Sequence, residues 1–171
     1  MNATDFFLTA LSRAEATLRR SLEGLEPADL RAQPAGPGSN PIGWMVMHLT
    51  RVQDNILSRV QGKETEWDEG GWAAKFGISD DSVQWTPDNV HAFDPQSVET
   101  LLAFYEAVRE RTGAFVASLS ETDLDVEHPA LRPGAPPMTL GTMLALILGD
   151  NVQHVGQVAF LRGVIKGQGW F

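Results

Sequence analysis

The chain has 171 residues, 43% of them hydrophobic and 20% charged, with a formal net charge of -9 and no cysteine. Such numbers suit one globular domain over residues 1–171 with room for a sizeable core, and they exclude disulfides, zinc–thiolate sites and a cysteine nucleophile. The 13 basic residues are scattered among 22 acidic ones, which argues against a nucleic-acid partner, because phosphate backbones need clustered cations.

No apolar run reaches the length of a membrane span, so no membrane partner is expected. The opening "MNATDFFLTALSRAEATLRR" carries Asp5 and then charges at helical spacing. It does not read as a signal peptide, and the expected location is the cytoplasm.

The first helix is predicted over residues 3–25, where Phe7, Leu11, Ala14, Leu18, Leu22 and Leu25 recur at steps of three and four. "EPADLRAQPAGPGSN" breaks it with three prolines. A second helix opens at "SNPIGW", with Asn40 as N-cap and Pro41 in the first helical position. Its stripe runs through Met45, His48, Val52, Asn55 and Ile56 and ends near Gly62.

Residues 63–95 show no sustained period but hold Trp67, Trp72, Phe76 and Trp85. A connection of this length in a compact domain usually serves function or carries its own short helix. "GWAAKFGI" is the candidate helix, and the tryptophan-rich stretch is expected to cover the mouth of a site. A third helix is predicted over residues 96–119, with Val98, Leu101, Tyr105, Val108, Thr112, Phe115 and Leu119 as its stripe. After the loop "EHPALRPGAPPM" a fourth helix runs over 139–166. Strand signals are weak throughout, and there is no repeat or phosphate-binding glycine loop. The reading is all-α, a four-helix bundle.

The stripe of the fourth helix is Met143, Ile147, Asp150, His154, Val158 and Leu161. Two ionisable groups one turn apart thus fall on its apolar face, and His48 does the same on the second helix. A carboxylate taken into a core must be paired, protonated or bound to a cation. Two imidazoles and one carboxylate suit zinc and other divalent first-row metals, and three protein ligands leave a position open for water or substrate. The simpler alternative is that Asp150 hydrogen-bonds His154 or pairs with an arginine such as Arg51. Trp44, one turn before His48, either lines a pocket or packs in the core. Gln157, a turn after His154, either orients a bound ligand or supports a metal ligand by a hydrogen bond. His91 and His128 fall in predicted loops and read as exposed. No general base stands out, so the catalytic residues are unknown.

Three segments carry a resemblance: "NPIGWMVMHLTRVQDN", "GGWAAKFGI" and "DNVQHVGQVAFLRG". Over nearly its whole length the chain resembles the DinB/YfiT-like superfamily of metal-dependent four-helix bundles. The resemblance implies that His48 is the second-helix ligand. It implies that Asp150 and His154 are the two fourth-helix ligands, standing four apart before Gly156 and Gln157. Many members have histidine where Asp150 stands, whereas related thiol-dependent isomerases have a carboxylate.

The implied cofactor is a divalent metal, zinc or nickel before iron or manganese, together with a low-molecular-weight thiol such as bacillithiol or mycothiol. The implied activity on a small-molecule substrate is hydrolase-like or thiol-transferring. The alternative is a non-catalytic stress-response or small-molecule binding module with a structural metal or none. A third reading, from ligand type alone, is a non-haem iron facial triad. A homodimer is expected, partly from the resemblance and partly from the aromatic end "GQGWF", where Trp170 and Phe171 need cover.

Overall fold

The computed structural model describes residues 1–78 and 86–167. Trp85, Trp170 and Phe171, which the sequence singled out, lie outside the described residues. Four long helices build the molecule: α1 (Ala3–Leu22), α3 (Ile42–Gln61), α7 (Val98–Ala117) and α8 (Leu140–Lys166). Between them stand the short helices α2 (Pro27–Arg31), α4 (Glu66–Glu69), α5 (Trp72–Lys75) and α6 (Pro87–Ala92). A 3-10 turn over Glu121–Asp125 precedes β1 (Glu127–His128), which pairs antiparallel with β2 (Met138–Thr139). Around the bundle, α1 packs on α8, α8 on α3, α3 on α7 and α7 on α1. No helix among the described residues is long and apolar enough to cross a membrane.

The predicted stripes form the core. Leu11, Leu18 and Leu22 of α1, Leu101 and Val108 of α7, and Met143 and Ile147 of α8 are all buried, each worth roughly 1.5–3 kcal/mol relative to exposure. The helix ends follow local chemistry. Asn2, Ser97 and Thr139 each accept a hydrogen bond from a backbone N–H of the first turn of α1, α7 and α8. Arg162 of α8 donates to the carbonyls of Arg20 and Glu23 at the end of α1, satisfying acceptors that have no partner inside the helix.

Three expectations need correction. The second long helix starts one residue later than predicted. Pro41, not Asn40, occupies the cap position with extended backbone (ψ 150°) and gives its carbonyl to Met45; Asn40, preceding a proline, is disfavoured in helical geometry. The first helix ends at Leu22 rather than Leu25, although Leu25 remains buried in the turn that follows. Asn55 faces outward, because α3 buries Leu49, Gln53, Ile56 and Leu57. His48 and Val52 are half-buried at the edge of that stripe.

The tryptophan-rich connection is stitched to the bundle. Asp54 of α3 is buried, and its carboxylate accepts from the N–H groups of Glu66 and Trp67, each at 2.9 Å. It thereby caps the N-terminus of α4. Arg111 of α7 reaches Glu66, Glu69 and the carbonyl of Glu64. Trp67, Trp72 and Phe76 cluster around Phe104 of α7, with ring centroids 5.0–6.0 Å away. These rings act as core packing, which is what large apolar surfaces do by default. "GWAAKFGI" contains α5, as predicted.

Candidate metal centre

His48 comes from the middle of α3, and Asp150 and His154 from successive turns of α8. Because α3 packs against α8, the three meet at one seam. The His48 and His154 rings stand edge to face with centroids 5.1 Å apart. One donor atom from each of the three residues lies within 4.8 Å of the others. Among the described residues this is the one cluster of its kind. His154 is buried, while His48 and Asp150 are half-buried, so the site sits where the core meets the surface.

Hydrogen bonding orients the donors. The Nδ1 of His154 is 2.7 Å from Oε1 of Gln157 and donates to it. That assigns the proton to Nδ1 and turns Nε2 toward Asp150, whose Oδ1 is 3.5 Å away. Trp44 lies nearly parallel over His48, with centroids 4.6 Å apart and 15° between the planes. It is almost fully buried and belongs to the core, the packing role that the sequence allowed, while its ring stacks on a site residue.

The two imidazoles differ electrostatically. Burial lowers the pKa of His48, opposed by the Asp150 charge and reinforced by His154, so this ring is neutral with a free lone pair at neutral pH. The hydrogen bond to Asp150 raises the pKa of His154 against the effect of burial, and Gln157 adds to the rise. Without a cation, Nε2 of His154 faces the Asp150 carboxylate at 3.5 Å. A protonated Nε2 must lose its proton before it can serve as a metal ligand.

The residues fit a divalent ion on two observations. Oδ2 of Asp150 is buried with no hydrogen-bond partner among the described residues, a costly condition for a carboxylate oxygen. Ligands at about 2.1 Å in tetrahedral array lie about 3.4 Å apart, close to the 3.5 Å between Asp150 and His154. The widest separation, up to 4.8 Å, closes by a contraction of about 1.4 Å at most.

Other candidates fall elsewhere. His91 stands in the last turn of α6 and His128 in β1, both half-buried. They are neither in loops nor fully exposed, and neither belongs to the cluster. Arg51 lies over the Trp67 ring at 4.0 Å.

Two features escaped the sequence reading. One is a buried network behind the site: Asn151 donates to Gln53, and Gln53 to Thr112 at 2.7 Å. It ties α8, α3 and α7 together, and its signal was polar side chains at core-facing positions. The other is a cavity of about 480 Å³ beside Gln157, with Ser39, Asn40 and Gln153 as its polar wall and Met45 and Phe160 as apolar wall. That volume is in the range that holds small molecules. Ser39 and Asn40 come from a loop, so periodicity could not place them there.

Comparison with known proteins agrees with the geometry. A model of the DinB superfamily matches residues 10–158. A crystal structure titled as the conserved protein of a locus from Enterococcus faecalis superposes with a TM-score of 0.87 at 22% identity, covering 98% of this chain and 99% of that one. At that identity the likeness shows the fold. No curated protein matches the chain. The match over most of the sequence, on a helical bundle that brings two histidines and an aspartate together, makes this chain a member of the DinB superfamily.

Proposed function

We propose that the protein is a divalent-metal-dependent enzyme acting on a small molecule, with His48, Asp150 and His154 as the ligands and water or a low-molecular-weight thiol as the nucleophile. The observation that carries the reading is the unpartnered, buried Oδ2 of Asp150 at the meeting point of two imidazole donors. A bound divalent ion would act there as a Lewis acid and lower the pKa of a water or thiol at its open position. The chain does the rest. His48 supplies a neutral nitrogen, Gln157 holds the His154 ring with Nε2 inward, and Trp44 restricts the His48 ring. The cavity beside Gln157 offers amide and hydroxyl groups rather than charges, which suits an uncharged, partly apolar substrate. A chain without cysteine must take any thiol from outside. Zinc or nickel suits the donor set, and iron or manganese shares it.

The test combines metal titration with a paired activity screen. Asp150→Ala should weaken zinc binding at least tenfold in calorimetry, Asp150→Asn should weaken it less, and Asp150→His should retain it, since each alters the charge or donor at one ligand position. Equal affinity in the parent, alanine and asparagine proteins would remove Asp150 from the site. The metal-loaded parent should then turn over ester, amide or electrophilic substrates with water or added thiol. Metal binding without turnover across such a screen would favour a binding module.

A further inference from the structure

We infer that the cavity beside Gln157 recognises a small neutral ligand carrying a secondary amide, and that Gln157 couples its occupation to metal binding at His154. The inference deepens the metal-site reading above and rests on it for the coupling alone. The cavity, about 480 Å³, lies against α8 between Gln153 and Leu161, and no Asp, Glu, Lys, Arg or His lines it. A charged ligand would find no counter-charge there, and an anion would also meet the field of a chain of net charge -9.

Three side-chain amides reach the cavity, those of Asn40, Gln153 and Gln157. Gln153 and Gln157 stand four apart on one face of α8, and Asn40 comes from the loop before α3. The amides of Asn40 and Gln153 have no hydrogen-bond partner among the described residues. Gln157 commits its Oε1 to Nδ1 of His154 at 2.7 Å, so only its NH2 donors remain for a ligand. The ligand must therefore bring an acceptor for Gln157 and a donor for the free oxygens of Asn40 or Gln153. Both groups must be uncharged, and an apolar body must suit Met45, Leu161 and the exposed ring of Phe160. A secondary amide meets all of these conditions. In its trans form C=O and N–H point in opposite directions, which suits partners on different walls. Gly156 leaves the wall between Gln153 and Phe160 as bare backbone. Packing within the chain does not call for a glycine there, since a Cβ would meet nothing within 4 Å.

The coupling follows from the position of Gln157 between ligand and metal donor. A carbonyl that accepts from its NH2 polarises the amide and strengthens the bond from Nδ1 of His154 to Oε1, as hydrogen bonds in series do. A better-supported imidazole is the better metal ligand. Linkage then requires zinc to tighten the amide by the same factor.

The probe is N-benzylacetamide, with two analogues of its shape: the ketone 4-phenyl-2-butanone, which lacks the N–H, and the anion 3-phenylpropanoate. Calorimetry on the metal-free parent should give N-benzylacetamide a Kd of about 1 mM or tighter, within reach of a well-fitted ligand of this size. The ketone should bind roughly 3–10-fold more weakly, the value of one hydrogen bond, and the anion more weakly again. The double variant Asn40→Ala/Gln153→Leu should lose the preference for amide over ketone while keeping the helical circular dichroism of the parent. Saturating N-benzylacetamide should raise the zinc affinity of the parent about fivefold, the low end of coupling between sites. Gln157→Glu keeps an acceptor for His154 but has no donor for the ligand, and should show no such rise. Equal affinity for amide and ketone in the parent, a double variant that keeps the preference, or a zinc affinity that the amide leaves unchanged overturns the proposal. The two readings fail separately. A protein that prefers the amide but binds no zinc refutes the metal centre and with it the coupling, and one that binds zinc but not the amide refutes the recognition site.

Discussion

Asp150 and Asn151 are neighbours in the chain with opposite surroundings. Asp150 faces the seam between α3 and α8 beside two imidazoles, whereas Asn151 is fully buried and donates to Gln53 and to the carbonyl of Ile147. A polar residue in a core stripe was readable in the sequence for Asp150, His154 and His48, because periodicity says which positions face inward. The partner of each was not readable, since hydrogen bonds depend on rotamers and on which helix packs where. Gln157 shows the difference: its spacing permitted a link to His154, and only the fold decides that it accepts from Nδ1. Gln157→Ala should lower metal affinity 10–100-fold, as loss of a supporting hydrogen bond to a ligand does. Gln157→Glu, which keeps an acceptor, should restore most of it; equal affinity in the parent and the alanine variant would free His154 from this support. Gln53→Leu leaves Thr112 and Asn151 without their partner in a dry setting. It should cost roughly 1–3 kcal/mol, read from urea unfolding, with the metal affinity little changed.

At the level of elements, the long helices announced themselves and the short ones mostly did not. α4 has four residues, too few to show a period and too few to hold together without tertiary support. Its support is Asp54, a residue that reads in sequence as an ordinary polar position of α3. Asp54→Ala should therefore release α4 and expose Trp67. The expected cost is about 1–3 kcal/mol for the N–H groups left unsatisfied, with a red-shifted tryptophan emission. An unchanged spectrum and stability would contradict that role.

Gly43 is another local requirement: a Cβ there would stand 2.5 Å from Cγ of Pro95, so the start of α3 can lie against the loop before α7 only without a side chain. At the same end of the bundle, Lys166 of α8 pairs with Asp29 of α2 at 2.6 Å. The hydrogen bond from Lys166, joined by one from the Glu26 backbone, holds the Asp29 carboxyl below its ordinary value of 3.8. A depressed carboxyl stabilises the fold above its unfolded pKa, and that stability is lost as pH falls through the folded value. Since the pair is partly open to solvent, the effect should be at most about 1 kcal/mol. The urea midpoints of the parent and Lys166→Met should differ at neutral pH and converge below about pH 3.

For the whole molecule, four stripes of apolar residues were enough to anticipate a bundle, because each amphipathic helix must bury its face against another. The cyclic order α1–α8–α3–α7 was not contained in any stripe, and it is this order that sets α3 beside α8 and so assembles the site. A metal bound at that seam ties two of the four long helices together. Ligand present at a hundred times its Kd adds about 2.7 kcal/mol, which in a chain of this size raises the melting temperature by roughly 5–10 °C. Calorimetric scans with and without zinc should show that rise in the parent and lose it in His48→Ala.

The most direct test of the account is the coordination shell itself. X-ray absorption at the zinc edge of the zinc-loaded parent should show nitrogen and oxygen ligands at about 2.0–2.2 Å, with the outer-shell scattering of two imidazoles. His48→Ala should reduce that scattering to one. A shell of water oxygens alone, or a spectrum that His48→Ala leaves unchanged, would contradict the site built from His48, Asp150 and His154.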